Sequence, residues 1–589
     1  IVPLAKVKFL NAKYLRLIKD FNFYYIPSLL SFRTDMNRTF SESKPRNTTG
    51  YDLLIDTVFA KSFLWNRIYD LNFDLSKALK LDFSATNTAV IDEPDGRIDT
   101  EAKKDSVWEN INAFDQDNIY GFGRTTNYQH NANASFTVPL NKIPITDWLS
   151  STARYGATYN WTAGPRGLKD TLGNNINIGN VISNTNTKQL NGQANMTTLY
   201  NKVPYLKKIN QKYSSRKGKP KEPEYITIKY EKDNLNFIAR KPKKIFHKLD
   251  TKDITSVEVY DKEGKKVNGK LYIDTKNKIT YELKNDLEGG RIVVEAKKKR
   301  GFDLEKLLEL TARTAMSLEK LSVTYSESNG TLLPGYLPRT NIIGQEQYLK
   351  KSAPGYDFLF GYQPDTSWLY EKANLGWISQ SPSQYNSYTQ SNTKNLGIKA
   401  NLEPLPSLKI DLTANRNESR NFTEIFRDTT GFGDWDHQSP VETGNFSISF
   451  FSLPSAFLKD DKNYVSKTFT EFANNRTKVA EELRQEYAKR NPGAGSAEEI
   501  SGFGNTSQEV LMPAFLEAYG GVKSSSVLFN PLIKIPKPNW RATYDGLSQI
   551  PLINKYFSRI TLGHGYVSTL NISSLTTNTL YDSQTAKNG

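Results

Sequence analysis

The feature that most constrains this chain is a two-residue alternation sustained over unusually long segments. Residues 149–163 read LSSTARYGATYNWTA. Alternate positions, beginning with Leu149, are mostly small, apolar or aromatic, and the positions between them are polar with one arginine. Because side chains point alternately to the two faces of a β-strand, the pattern predicts one long strand whose faces meet different surroundings.

The length of this strand separates a membrane protein from an ordinary soluble sheet. A strand of this length runs roughly 50 Å, and a tilt of about 45° leaves a rise of roughly 35 Å, enough to cross a bilayer. Soluble strands have a mode of about 5–6 residues. We therefore expect one face to meet lipid, with Tyr159 and Trp161 suited to an interfacial girdle, and the other face to meet water. The residues expected to face lipid are Tyr155, Ala157 and Tyr159, and those expected to face water are Arg154, Thr158 and Asn160.

The same alternation recurs along the chain, in residues 71–85, 130–138 and 558–572. Short connections at 25–30, 74–79, 138–148 and 402–408 contrast with long polar stretches at 41–66, 90–126, 164–188 and 417–442. Short turns at one end of the strands and long loops at the other are typical of outer-membrane β-barrels. With roughly 14–16 candidate strands, the sequence predicts an all-β fold: a large transmembrane antiparallel β-barrel, or a section of a giant one.

The positive charge of the chain is concentrated in one segment. Residues 201–300 contain 28 Lys and Arg against 14 Asp and Glu, a net +14, and the rest contains 50 against 48, a net +2. Turn signals at Asp261–Gly264 and Asp274–Asn277 separate short strand patterns there. We interpret 204–302 as a small soluble β-rich insert that faces anionic lipid or acidic partners rather than nucleic acid. Counting strands from the short turn at 140–147 places it on the periplasmic side.

These patterns divide the chain into three parts. Residues 1–203 are expected to form barrel strands and long loops, 204–302 the basic periplasmic insert, and 303–589 further barrel strands. Residues 303–318 fit either a helix or a strand. Residues 467–490 predict a helical loop, with Thr468 and Glu471 as a capping box and Phe469, Phe472, Val479, Leu483 and Tyr487 roughly on one face. This helix and the Gly/Pro-rich stretch 329–363 are candidate plug elements.

The chain has few residues that could carry chemistry. It contains no cysteine and four histidines without metal-ligand spacing, of which His130 and His564 lie in predicted strands and are interpreted as structural. The sequences GFGRTT and GFGDWD are isolated glycine turns. The acidic group Asp92, Glu93, Asp95 and Asp99 lacks a full calcium ligand set. We therefore predict no enzyme, and no catalytic, cofactor-binding or metal site.

Four stretches resemble a known family: STARYGATYNWTAGP (151–165), TYSESNGTLLPGYLP (324–338), IPKPNWRATYDGLSQIP (535–551) and FSRITLGHGYVSTLNISS (557–574). They are similar to the SprA (Sov) family, the outer-membrane translocon of the Bacteroidota type IX secretion system. The resemblance is weakest in 204–302, and family members are far longer than this chain. It implies a gated, laterally open pore in the outer membrane that exports folded proteins and supports gliding motility.

The resemblance also implies partners. These are a PorV-type outer-membrane barrel, a plug protein, periplasmic folding factors, outer-membrane lipid and cargo with a C-terminal sorting domain. Two other classes of protein stay open at this point. A TonB-dependent nutrient transporter would need a plug domain and a TonB box, and a surface adhesin or structural β protein would be soluble without detergent.

Overall fold

The computed structural model describes residues 15–48, 50–51, 55–112, 123–169, 173–214, 225–299, 304–341, 343–491, 493, 495–500, 503–526, 528 and 535–577. It is mostly β, with 47% strand and 21% helix, and contains a large antiparallel sheet. The β-rich class is therefore confirmed, although the helix content exceeds one helical loop. The chain forms two compact units: residues 1–199, 318–403 and 407–589 make the first, and residues 200–317 with 404–406 make the second.

The strands follow the chain in this order: β1 Leu29–Ser43, β2 Val58–Asp74, β3 Leu79–Val90, β4 Arg124–Val138, β5 Leu149–Thr162, β6 Asn180–Asn195, β7 Tyr225–Phe237, β8 Lys243–Phe246, β9 Ile254–Tyr260, β10 Lys266–Val267, β11 Gly269–Thr275, β12 Lys278–Leu283, β13 Leu287–Lys299, β14 Leu318–Tyr336, β15 Glu346–Tyr348, β16 Lys351–Ala353, β17 Tyr388–Leu405, β18 Leu408–Asp428, β19 Trp435–Ser449, β20 Asn539–Tyr544, β21 Leu562–Tyr566 and β22 Thr569–Thr577.

The α-helices are α1 Arg16–Lys19, α2 Glu101–Asn112, α3 Met196–Tyr200, α4 Pro204–Ser214, α5 Leu304–Ala315, α6 Tyr356–Leu359, α7 Thr366–Asn374, α8 Leu453–Ala456, α9 Lys467–Arg490, α10 Gln508–Gly520 and α11 Pro551–Asn554. Short 3-10 turns cover Leu140–Lys142, Ser524–Ser526 and Gly546–Gln549. Within the described residues, no helix is long and apolar enough to span a membrane.

One sheet of 13 strands dominates the first unit. Its order is β1-β2-β3-β4-β5-β6-β14-β17-β18-β19-β22, with β20 against β18 and β21 against β20. The number of strands is slightly below the expected 14–16. In the part of the chain that the structure describes, the two outermost strands β1 and β22 do not pair with each other, so the sheet there is open.

The strand position next to β18 is shared by two segments of the chain, β19 and β20. β19 pairs with β18 as far as Ile448 opposite Arg416, and β20 continues along the same strand from Asn539 opposite Thr413. The chain between them leaves the sheet at mid-strand and forms α8, α9 and α10. Two backbone hydrogen bonds hold its base, from Lys537 N to Ser449 O (2.9 Å) and from Phe450 N to Ser568 O (3.1 Å).

The strands are longer than the sequence indicated. β18 has 21 residues and β14 has 19, so that much of the predicted loop at 417–442 is strand, closed by a short turn at 429–434. The prediction of a long loop there is wrong. The parts of 41–66 and 164–188 that lie in β1, β2 and β6 are likewise strand. Polar residues occupy both faces of these outer portions, which removes the alternation that marks a strand.

The two helical predictions have different outcomes. The segment left open between helix and strand begins with α5, and Glu319 and Lys320 lie in β14 rather than in a turn. The helix at 467–490 is confirmed, but its N-cap is Ser466, whose hydroxyl accepts a hydrogen bond from Phe469 N at 3.4 Å. The capping box of Thr468 and Glu471 is therefore wrong by two residues. Val479 and Leu483 are buried against α10, whereas Phe469 is exposed.

The second unit is a small β structure with helices. Its strands form a four-stranded sheet, β10-β9-β13-β7, and a three-stranded sheet, β11-β12-β8. Val259, Ile279 and Ile292 are among the fully buried residues of its core. The turns predicted at Asp261–Gly264 and Asp274–Asn277 separate β9 from β10 and β11 from β12. In the chain, this unit is inserted between β6 and β14, which are neighbours in the large sheet.

Candidate functional site

One face of the large sheet is apolar over the half nearer the short connections at 75–78, 139–148 and 406–407. Register and alternation place its residues side by side across nine strands. The belt positions of β2 to β17 carry no Asp, Glu, Lys or Arg, whereas on β18 Arg416 follows Leu412 and Ala414 on the same face. We call this surface the belt, and its members are Leu71, Phe73, Leu79, Leu81, Phe83, Ala132, Ala134, Phe136, Leu149, Ala153, Leu190, Ala194, Leu321, Val323, Leu396, Ile398, Ala400, Leu402, Leu408, Ile410, Leu412, Trp540 and Ala542.

The belt is a surface rather than a core. Phe136 is 39% exposed and Leu190 is 50% exposed. The opposite face at the same level is polar: Asn401 donates to the Asp411 carboxylate at 2.6 Å, and Asn131 and Asn133 lie opposite Thr158 and Gly156. An exposed apolar patch spanning many strands marks a contact with lipid, with a protein partner or with an apolar ligand.

The other half of the apolar face is covered by the chain itself. Residues 337–387, which we call the cap, include β15, β16, α6 and α7. Phe358, Leu359 and Trp368 of the cap are buried in one cluster with Tyr128 and Tyr159 of the sheet. The phenyl ring of Phe358 stacks on the indole of Trp368, with centroids 5.5 Å apart. The cap therefore turns this half of the face into an ordinary buried core.

Polar side chains of the sheet fix the cap in register. The Nε2 of His130 lies 2.9 Å from Leu359 O, and its Nδ1 lies 3.2 Å from the Tyr128 hydroxyl. Since a carbonyl can only accept, His130 donates from Nε2, while its Nδ1 contacts a hydroxyl that can donate or accept. Asn184 donates to Phe358 O at 2.8 Å and to Tyr362 O at 2.7 Å.

A close approach of the two backbones requires glycine in the cap. Gly361 has a φ of +92°, and an added Cβ would lie 2.7 Å from the Cβ of Asn186. Asn186 donates to Gly361 O, and the Tyr155 hydroxyl donates to Phe360 O. A side chain at this position would both strain the backbone and separate the cap from the sheet.

The cap overturns part of the lipid assignment. The face of Tyr155, Ala157 and Tyr159 was expected to meet lipid, but Ala157, Tyr159 and Trp161 are buried under the cap. Trp161 donates its indole N–H to Pro338 O at 3.1 Å, so it is not a residue of an interfacial girdle. The physical reason is that alternation shows which face is apolar but not what covers it. Residues 329–336 of the candidate plug stretch belong to β14, and the rest of the stretch that the structure describes forms part of the cap.

A row of charges marks the boundary between belt and cap. Lys188 lies opposite Tyr155 on one side and opposite Glu327 on the other, and Glu327 lies opposite Lys394. On β18, the Glu418 carboxylate forms ion pairs with the guanidinium groups of Arg416, at 2.6 Å, and Arg420, at 2.9 Å. Two exposed aromatic side chains of the cap, Phe360 and Tyr362, belong to the same boundary region.

The residues considered for chemistry do not come together. Asp92 pairs with Arg124 at 3.2 Å and Glu93 with Arg38 at 2.5 Å. In the described ranges, no group of three or more His, Asp or Glu side chains could hold a metal ion. His564 lies 3.2 Å from the Trp540 indole nitrogen, and the Nδ1 of His437 lies 2.8 Å from the Glu424 carboxylate.

Sequence reasoning missed the cap and the row of charges that separates it from the belt. Lys188, Glu327 and Lys394 are far apart in the sequence, and only the register of β6, β14 and β17 shows that they lie side by side. Neither the family models nor the curated proteins searched give a match to this chain.

The cap carries a titratable group whose ionisation opposes folding. Burial raises the pKa of Glu346. The hydrogen bond that its carboxylate accepts from the backbone N–H of Arg339 lowers the pKa by less, so the net shift is upward. Because the folded pKa is above the unfolded one, the stability of the cap falls as pH rises from the ordinary carboxyl pKa through the folded one, and stays lower at neutral pH. We expect Glu346→Gln to increase the protection of cap amides from hydrogen exchange at neutral pH and to leave it unchanged below pH about 4.

A second carboxylate of the cap provides the control. Hydrogen bonding from Lys372 lowers the pKa of the exposed Glu371, so Glu371→Gln should not increase protection at neutral pH. Equal protection in Glu346→Gln and the wild type at neutral pH would contradict the assignment.

Proposed function

We propose that this chain is a wall section of an outer-membrane protein-conducting pore, the translocon of the type IX secretion system that its sequence resembles. The observation that carries the proposal is the belt: one continuous apolar face, exposed, on a sheet whose opposite face is polar. Lipid on the belt and water on the polar face satisfy both surfaces at once. In this proposal the sheet continues into a closed transmembrane barrel, which provides partners for the edge strands β1 and β22.

The belt supplies part of the apolar band that a bilayer requires. From Leu149 to Tyr155, β5 advances six residues, roughly 20 Å along the strand, and a tilt of about 45° leaves a rise of roughly 14 Å within the ~25 Å apolar band of membrane barrels. The charged row at Lys188, Glu327 and Lys394 then lies at one headgroup level, with the exposed aromatic residues of the cap. Exposed Ile145, Leu552 and Tyr556 lie in the connections at the other end of the strands.

The strand lengths support a tall wall. Since a membrane strand needs about 9–11 residues, roughly half of β18 is left beyond the bilayer, at the cap end. Such a wall has room for a water-filled conduit lined by its polar face. By the same orientation, the second unit lies on the periplasmic side, because the chain leaves β6 and enters β14 at the short-connection end of the sheet.

The membrane assignment is tested by a pair of neighbouring residues on β5. Ala153 belongs to the belt and Thr152 lies on the polar face. We expect Ala153→Arg to cost roughly 2–4 kcal/mol of stability in lipid vesicles if it lies near the midplane, and Thr152→Arg to cost much less. Equal effects of the two substitutions on unfolding would defeat the assignment.

Cysteine labelling tests on which side of the membrane each end of the sheet lies. Because this sequence contains no cysteine, an introduced cysteine is its only thiol. Lys262 lies in a turn of the second unit, and Phe432, 94% exposed, lies in the turn between β18 and β19 at the far end of the sheet. In intact cells, an impermeant thiol reagent should label Phe432→Cys and leave Lys262→Cys unlabelled. Labelling of Lys262→Cys alone would reverse the orientation.

The conduit itself is tested by conductance. The complete protein, freed of its plug, should form pores in planar bilayers with a conductance well above that of a nutrient porin, because the section described here already has 13 strands, near the size at which porins enclose an aqueous channel. A porin-like conductance would instead favour the nutrient transporter.

A further inference from the structure

Two grooves meet at the boundary between belt and cap. The upper one, about 530 Å³, lies between the sheet and the lower edge of the cap, and the lower one, about 330 Å³, lies on the belt. Tyr155 and Lys188 line both, so the grooves form one continuous depression with a polar and an apolar part.

The polar groove presents two opposite charges. Lys188 lies on its sheet side and Asp357 on its cap side. Both are exposed, and neither has an ion-pair partner within the described part of the chain. The Glu327 carboxylate lies opposite Lys188 on β14 and accepts from Tyr325 at 3.0 Å and from Asn329 at 3.5 Å, so its negative charge stays near Lys188 without an ion pair between them.

The amides of the groove are also engaged by the protein. Asn186 donates to Gly361 O, and Gln363 donates to Asn184 at 3.0 Å while accepting from Thr331 at 2.8 Å. The floor of the groove is therefore rigid, and Lys188 and Asp357 are its two charged groups. A ligand that matches it carries a negative group and a positive group close together.

The lower groove accepts a different chemistry. Its lining is mostly apolar, although Arg154 and Gln189 also border it, and its apolar members are Ala134, Phe136, Ala153 and Leu190 of the belt with the ring of Tyr325. Its position directly below the charged groove reproduces the order of groups in a phospholipid: headgroup, then acyl chain.

We propose that this depression is a binding site for a zwitterionic phospholipid, in which Lys188 binds the phosphate and Asp357 binds the ammonium group of a phosphoethanolamine headgroup. An acyl chain lies along Ala134, Phe136 and Leu190. This proposal rests on the proposed function, because it requires the belt to face lipid. Its consequence is that one ordered lipid bridges the sheet and the lower edge of the cap at the headgroup level.

The test is lipid binding to the complete protein in mild detergent, followed by native mass spectrometry during titration with phosphatidylethanolamine or phosphatidylglycerol. Wild-type protein should prefer phosphatidylethanolamine. Lys188→Gln should weaken binding of both lipids about tenfold, since it removes the charge-assisted hydrogen bond to the phosphate that both headgroups carry. Asp357→Asn should abolish the preference, because only the ethanolamine lipid carries an ammonium group.

Lys399→Gln is the matched control, because Lys399 lies on the polar face of β17, two strands away from the strand of Lys188. Binding that falls equally in Lys188→Gln and Lys399→Gln overturns the site. Full displacement of the lipid by millimolar inorganic phosphate overturns the lipid assignment in favour of a free anion. A protein that inserts into vesicles normally but shows no effect of Lys188 disproves this site alone, whereas failure to insert disproves the proposed function.

Discussion

The structure depends on how a sheet with one apolar face hides that face. In a soluble domain a second layer would cover it entirely, because exposed apolar surface costs about 25 cal/mol per Å². Here the cap covers only the half that contains Tyr128, Tyr159 and Trp161, and the belt is left exposed. The boundary is sharp: Tyr155 contacts the cap through its hydroxyl, and Ala153, two residues earlier, belongs to the belt.

The two halves use different physical means to hold the same strands. Under the cap, aromatic packing and hydrogen bonds from His130, Asn184 and Asn186 to cap carbonyls supply specificity, and polar groups there have to be satisfied because they are removed from water. In the belt, side chains need only be apolar, which explains the mixture of Leu, Ile, Ala, Val, Phe and Trp. The charged row at Lys188, Glu327 and Lys394 lies at the boundary between the part of the sheet that the cap covers and the belt.

Sequence reasoning identified the strands wherever one face was apolar and the other polar, as in 71–85, 130–138 and 149–163. It failed at 417–442, where β18 carries Arg416, Glu418 and Arg420 on the face that elsewhere is apolar, so no alternation remained. A different error concerns Ala157 and Tyr159. The sequence correctly placed them on an apolar face, but that face is covered by the cap and not by lipid. The layer that covers this face is formed by residues 337–387, which are distant in the sequence, so the local alternation of 149–163 does not predict it. The site at Lys188 and Asp357 joins residues far apart in the sequence, so only the fold reveals it.

The interruption between β19 and β20 has a mechanical consequence. One strand position is made of two chain segments, and the covalent path between them runs through α9 and α10. Tension applied to that helical pair enters the sheet at its middle rather than at a strand end, where it loads the bonds from Lys537 to Ser449 and from Phe450 to Ser568 first. The helical pair is thereby connected to the interior of the sheet, at the point where one half of a strand position ends and the other half begins.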